Sequence, residues 1–180
     1  MVSYNNVQLV CPIRGLLKIH KNSSNGLTPT EEYFRIEAIK FLLSLGYPKA
    51  NFRIEPIVKR FGSDGRNSFR SDFAVLDVST ESIDANDPDE LLEHALIICE
   101  VKRDNSKFDY VNRTQVKPLL DFASNLRTLA LYWDNVDKRV FWNEIHDGIK
   151  VSKEGPLAFV PKFGHKIEMI PLTFETIRPT

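Results

Sequence analysis

The sequence predicts an α/β domain with helices packed on a central mixed sheet. Three observations carry that prediction. Helical spacing runs between Thr28 and Gly46, short apolar strand-like runs follow it, and a second helical stretch separates the third run from the fourth. The order is therefore α-β-β-β-α-β, with extra strands towards the C-terminus. The chain has 180 residues, 42% of them apolar and 27% charged. At ~100–200 residues per domain, that is one domain with enough apolar material for a core. We take residues 1–180 as that domain, with its core between about 28 and 143.

The elements follow in order. Residues 1–27 hold short apolar stretches around Val7 and between Ile13 and Ile19, then the polar run Lys21 to Gly26, and read as an irregular or strand-forming start. Thr28-Pro-Thr-Glu31 is a helix-start signal: Thr28 caps, Pro29 suits the first helical position, and Glu31 completes a capping box. Ala38, Ile39, Leu42, Leu43 and Leu45 continue the helix, and Gly46 before Tyr47-Pro48 stops it. Phe52 to Phe61 reads as a strand, with a turn from Gly62 to Asn67, and Phe69 to Val78 as a second. Residues 79–93 hold six acids and no Lys or Arg, which suits a solvated loop with a helical turn starting at Pro88. Ala95 to Lys102 is a third strand, apolar enough to be central. A helix from about Tyr110 to Leu126 is expected to kink near Pro118. Thr128 to Trp133 is a fourth strand, and Arg139 to Trp142 a further one. Tyr132, Trp133, Phe141 and Trp142 fall at strand spacing and read as residues covering the sheet.

Composition excludes several classes. Lys plus Arg and Asp plus Glu number 24 each, so a polybasic or histone-like protein is excluded, although a local basic patch is not. No apolar run approaches the ~18 residues that span a bilayer, so no membrane partner is expected. The first residues lack the basic and apolar regions of a secretory signal. Cys99 lies in an apolar run and reads as a buried thiol of a reducing compartment, which points to the cytoplasm. The two cysteines and four histidines show no zinc-site spacing, and no glycine-rich phosphate loop occurs.

The informative feature is Glu100-Val101-Lys102 at the end of the third strand. Side chains alternate along a strand, so Glu100 and Lys102 share a face. They are either an ion pair at the sheet end or a metal ligand beside a lysine that orients a water. Asp72, near the start of the second strand, adds weight to the second reading. If residues 79–93 close a hairpin, antiparallel pairing brings Asp72 to the same sheet end as Glu100 and Lys102. Two carboxylates are the hard oxygen ligands that Mg²⁺ prefers, and such an ion activates water and polarises a phosphoryl oxygen.

These residues resemble the PD-(D/E)xK nuclease superfamily. More narrowly, Pro29-Thr-Glu31-Glu32-Tyr-Phe-Arg35, Leu45-Gly-Tyr-Pro48, Arg70-Ser-Asp72 and Ile98-Cys-Glu100-Val-Lys102 are similar to the N-terminal nuclease domain of type I restriction enzyme R subunits. The resemblance implies a restriction-endonuclease-like fold and a Mg²⁺-dependent endodeoxyribonuclease. It implies Asp72, Glu100 and the Val101 carbonyl as metal ligands, with Lys102 positioning the attacking water or stabilising charge on the phosphate. A first-helix glutamate completes such sites; Glu32 is favoured, because Glu31 is assigned to the capping box. Gln115 matches the family's Gln-x-x-x-Tyr helix motif, but Leu119 stands where the tyrosine belongs. The resemblance further implies double-stranded DNA and the specificity and methylation subunits of a restriction-modification complex as partners. ATP would act only through a motor region that this chain does not contain, making the chain a fragment of a larger subunit.

The charge pattern fits a phosphate backbone near the site. Residues 53–70 and 102–117 each hold five basic against two acidic residues, and Arg60, Arg66, Arg70, Arg103 and Lys107 are the DNA-contact candidates. The acidic run 79–93 is expected at the opposite end of the hairpin. Two alternatives remain: a repair or recombination nuclease of the same fold, and a non-catalytic module that binds DNA or protein.

Overall fold

A computed structural model describes residues 8–23, 26–62, 67–123 and 126–165. Two antiparallel hairpins come first: β1 (Gln8–Cys11) with β2 (Gly15–Lys18), and β3 (His20–Ser23) with β4 (Gly26–Pro29). The polar run is thus part of a strand-forming start, with Lys21–Ser23 in β3 and Gly26 opening β4. Helix α1 (Glu31–Ser44) follows. The predicted capping box does not form, because Thr28 and Pro29 already belong to β4. Thr30 is the N-cap, and its hydroxyl donates to the Ile19 carbonyl at 3.0 Å instead of capping the helix. The stop at Gly46 is as predicted. Gly46 sits at φ +90°, its N–H donates to Leu43 O at 3.0 Å, and that of Tyr47 donates to Leu42 O at 3.3 Å. This is the double closure that needs a left-handed residue just past the helix.

The strands expected over 52–61 and 69–78 are each broken in two. β5 (Phe52–Ile54) and β6 (Ile57–Phe61) are separated by Glu55-Pro56, and β7 (Asn67–Arg70) and β8 (Phe73–Leu76) by Ser71-Asp72. Proline interrupts a ladder because it lacks an N–H, and Glu55 before it adopts φ 51°, uncommon for a non-glycine residue. The two breaks face each other, since Glu55 N–H donates to Asp72 O at 3.0 Å and Ser71 N–H to Pro56 O at 3.3 Å. The β6–β7 arm bends there out of the main sheet. Helix α2 (Pro88–His94), capped by Asp87, leads into β9 (Ala95–Val101).

The second helical stretch starts at α3 (Phe108–Val111), widens to a π turn over Asn112–Val116, and ends in α4 (Lys117–Phe122). Pro118 cannot donate to Thr114 and its ring would crowd that carbonyl. The π turn absorbs the conflict that the sequence reads as a kink. Strands β10 (Leu129–Trp133), β11 (Lys138–His146) and β12 (Ile149–Pro156) complete the domain.

The main sheet has the order β12-β11-β10-β9-β8-β5, parallel only between β9 and β10. It is the mixed sheet the sequence predicts. Strand alternation divides the core between its faces. Phe73, Val75, Ile97, Cys99, Leu129 and Leu131 pack with Ile36, Ile39 and Leu42 of α1. On the other face, Ala74, Leu76 and Ile98 meet Leu91, Leu92 and Leu119, while Ala130, Tyr132 and Phe141 meet Val111, Val116 and Leu120. Tyr132, Trp133 and Phe141 are buried, as expected of sheet-covering residues, and Cys11 and Cys99 are free buried thiols. Among the described residues, no helix is long and apolar enough to cross a membrane.

Candidate active site

The antiparallel register of β8 and β9 sets Phe73 opposite Cys99 and Ala74 opposite Ile98. One step further, it sets Asp72 opposite Glu100. Directly opposed residues lie on the same face, with Cβ atoms ~4.5–5.5 Å apart. The Asp72 N–H donates to Cys99 O at 3.0 Å, and its carboxylate Oδ2 accepts the Val101 N–H at 2.7 Å. Lys102, two residues beyond Glu100, donates from Nζ to Glu100 Oε1. Asp72, Glu100 and Lys102 thus line one open cleft of about 210 Å³, together with Arg35, Glu55 and Arg70. The convergence expected from the sequence is what the chain adopts.

The electrostatics of the cleft follow from burial. The Glu100 side chain is 6% exposed. Burial, and next the Asp72 charge, push its carboxyl up to about 7, against the opposing pull of Lys102; Glu31 adds to the rise. Burial works against the Lys102 ammonium, yet Glu100, Asp72 and Glu31 together hold it above its usual value. Lys102 is therefore a fixed positive charge beside the two carboxylates, suited to holding an anion rather than to taking up a proton. Cys99, behind the site, is pushed well up by burial and by the same two acids.

A divalent cation fits the chemistry of this cleft. Two opposed carboxylates, one of them held up by its neighbour's charge, lose that repulsion when a cation binds between them. Among the described residues, no three His, Cys, Asp or Glu side chains form a metal cage on their own. Any such ion would take its remaining ligands from backbone, water or substrate, as Mg²⁺ commonly does.

The other predicted residues divide. Glu32 is held by two arginines, accepting from Arg35 at 2.6 Å and from Arg14 at 2.8 Å. The reason for preferring it over Glu31 was the capping box, which is not formed. Glu31, the first residue of α1, is the helix acid whose charge acts on both Glu100 and Lys102. Gln115 lies in the π turn, and its side-chain oxygen is buried with no hydrogen-bond partner among the described residues. Arg70 lines the cleft and donates to Glu55 O at 3.3 Å. Arg103 and Lys107 are exposed in the segment after Lys102, Arg103 being paired with Asp104 at 3.0 Å. Arg66 lies outside the described residues.

The expected separation of basic and acidic segments is not found. Lys59 and Arg60 share a second cleft, of about 400 Å³, with Asp84, Asp87 and Asp89. Arg53 donates to Asn86 at 2.5 Å. The cause is the bend at Glu55-Pro56, which packs Val58 of β6 against Leu91 and Leu92 of α2. Arg60 therefore stands beside the acidic run, not across the domain from it.

Sequence reasoning gave no role to Arg35 or Glu55. Arg35 is buried and joins three acids: Glu32, Glu55 at 3.2 Å, and Asp72, whose Oδ1 accepts from Nη2. Burial disfavours its charge, but Asp72, Glu32 and Glu55 raise the guanidinium above its usual value. The signal was present: Ala38, Ile39 and Leu42 stand three, four and seven positions after Arg35, which puts it on the helix face that meets the sheet. A charge there requires partners.

Fold and site together define an α/β domain with a two-carboxylate, one-lysine cleft at a sheet end. No protein-family model, no curated protein and no solved structure matches the chain.

Proposed function

We propose that this chain is a Mg²⁺-dependent endodeoxyribonuclease domain with a restriction-endonuclease-like core, resembling the cleavage module of a type I restriction enzyme R subunit. The observation that carries this reading is the placement of Asp72, Glu100 and Lys102 in one cleft by the β8–β9 register. The element order α1, β5–β6, β7–β8, β9, α3–α4, β10, with the short α2 in the connection between β8 and β9, supports it.

In this reading Asp72, Glu100 and the Val101 carbonyl hold Mg²⁺. When bound, the ion supplies a Lewis acid for the phosphoryl oxygen and lowers the pKa of a water. Lys102 stays protonated and holds the scissile phosphate or the attacking water through its ammonium. Burial keeps the Glu100 carboxyl dry, and a bound cation would offset the Asp72 charge that helps to hold it up in the metal-free cleft. Arg70 at the cleft, with Arg103 and Lys107 beyond it, contacts the phosphate backbone of double-stranded DNA. Specificity and methylation subunits would then select the site on DNA.

The test is cleavage of supercoiled plasmid DNA with Mg²⁺ or Mn²⁺, comparing the wild type with Lys102→Ala. The Lys102 ammonium bonds the Glu100 carboxylate and no backbone group, whereas Asp72 holds the Val101 N–H, so loss of Lys102 reads chemistry more cleanly than loss of Asp72. The expected result is nicking by the wild type, a loss of at least ~100-fold in the variant, and none with chelator. Calorimetry with Mn²⁺ accompanies it. A wild type that neither cleaves nor binds the cation at millimolar concentration, or a Lys102→Ala protein that cleaves normally, overturns the proposal.

A further inference from the structure

Arg35 invites a role of its own. Charged side chains are rarely fully buried, and Arg35 is buried against the sheet with three carboxylates around one guanidinium. Its two terminal nitrogens divide the work. Nη1 takes Glu32 at 2.6 Å and Glu55 at 3.2 Å, and Nη2 takes Asp72. Asp72 is therefore closed on both oxygens, by Arg35 on Oδ1 and by the Val101 N–H on Oδ2. Glu55 sits beside it at a strained position, φ 51° just before Pro56. Strain of that kind persists only where the surroundings enforce it, and it clusters at functional sites.

We infer that Arg35 is the site's resident counter-cation: it neutralises Asp72 when no metal is bound, competes with a divalent cation for that carboxylate, and is retained by Glu32 and Glu55 when the cation displaces it. This rests on the Mg²⁺ reading of the cleft. The physical basis is charge balance. Asp72, Glu100 and Glu55 line one small cleft with Lys102, Arg35 and the exposed Arg70, three acids against three bases, so Arg35 carries one of the three positive charges that keep the metal-free cleft close to neutral. A divalent ion entering beside Arg35 meets like charge unless the guanidinium gives up Asp72. Glu32 and Glu55 are already in hydrogen-bond range of Nη1, so the exchange requires rotation of the guanidinium and no movement of α1. Arg35 is thus a positioning residue for Asp72 and sets how much cation is needed to load the site.

Two measurements test this. The first titrates Mg²⁺ into isotopically labelled wild-type protein while following the Arg35 side-chain nitrogens by NMR. Their signals should move with the same midpoint as calorimetric Mg²⁺ binding. The second compares Mn²⁺ binding by the wild type and Arg35→Gln, and the variant should bind roughly tenfold tighter, since a like charge has been removed beside the cation. Its thermal midpoint should also rise more on Mn²⁺ addition than that of the wild type. A merely structural Arg35 would give weaker binding in the variant. If the variant does not fold, the NMR titration of the wild type decides. Arg35 signals unmoved at saturating Mg²⁺, or equal or weaker Mn²⁺ binding by Arg35→Gln, overturns the inference while leaving the metal site standing. Absence of binding by both proteins overturns the metal reading itself.

Discussion

Replacing Glu100 by glutamine should flatten the pH dependence of folding stability in the neutral range. In the metal-free protein the Glu100 carboxyl is pushed from 4.5 up to about 7, first by burial and then by Asp72. Because the folded-state value lies above the unfolded one, folding favours the protonated form. The stabilisation is full below the unfolded value and is lost as the pH rises through the folded one. The side chain is 6% exposed, so solvent screens little of this. A carboxyl moved that far corresponds to roughly 3 kcal/mol, at about 1.4 kcal/mol for each tenfold change in proton affinity. For a chain of this size that is about 6–12 °C in thermal midpoint. The assay is thermal unfolding by circular dichroism with chelator present, between about pH 5 and pH 8. Wild-type stability should fall across the range relative to Glu100→Gln, whatever the offset caused by losing the Lys102 contact. Parallel curves for the two proteins would refute the assignment of a dry, repelled carboxyl at this position.

Leu119→Ala, at a fully buried position between α4 and the sheet, should cost ~2–5 kcal/mol in urea unfolding, because it leaves a cavity. Cys99 should resist a thiol reagent at neutral pH until denaturant is added, since it is buried and its thiolate is disfavoured, and Cys11 should behave likewise through burial. Gly148→Ala should cost about 1 kcal/mol. Its φ is +78°, following Asp147 at 51°, in the tight turn between β11 and β12, and an added Cβ would meet nothing within 4 Å, so backbone strain alone sets the cost.

What could be read from the chain was mostly local. The Gly46 stop, the continuous apolar runs of β8, β9 and β10, and the helix between the parallel strands each depend on neighbours a few residues apart. The meeting of Asp72 and Glu100 was legible for a related reason: a hairpin closed by residues 79–93 makes the two strands antiparallel and so brings their Asp72 and Glu100 ends together, and the register that sets Phe73 against Cys99 on one buried face completes the match. Long-range choices were not legible. Thr28 and Pro29 carry a good helix-start signal, but pairing with β3 claims them for a strand. Phe52 to Phe61 reads as one strand although Pro56 stands within it, and neither the break there nor the direction in which β6 then folds was read. That direction brings Lys59 and Arg60 to the acidic run. Arg35 finds Asp72 across 37 positions of sequence, a separation at which no local pattern speaks.

The Val101 amide, accepted by the Asp72 side chain rather than by a backbone carbonyl, makes chemistry and architecture inseparable at that position. On the proposed nuclease reading, an inherited change at Asp72 would unpick a stitch of the sheet as well as silence the cleft, so it would be selected against on two counts. On that same reading, a lineage giving up catalysis would lose Lys102 first, because its ammonium bonds only the Glu100 carboxylate and no backbone group. Descendants that had kept the shape but lost the chemistry should therefore carry an aspartate here beside a missing lysine.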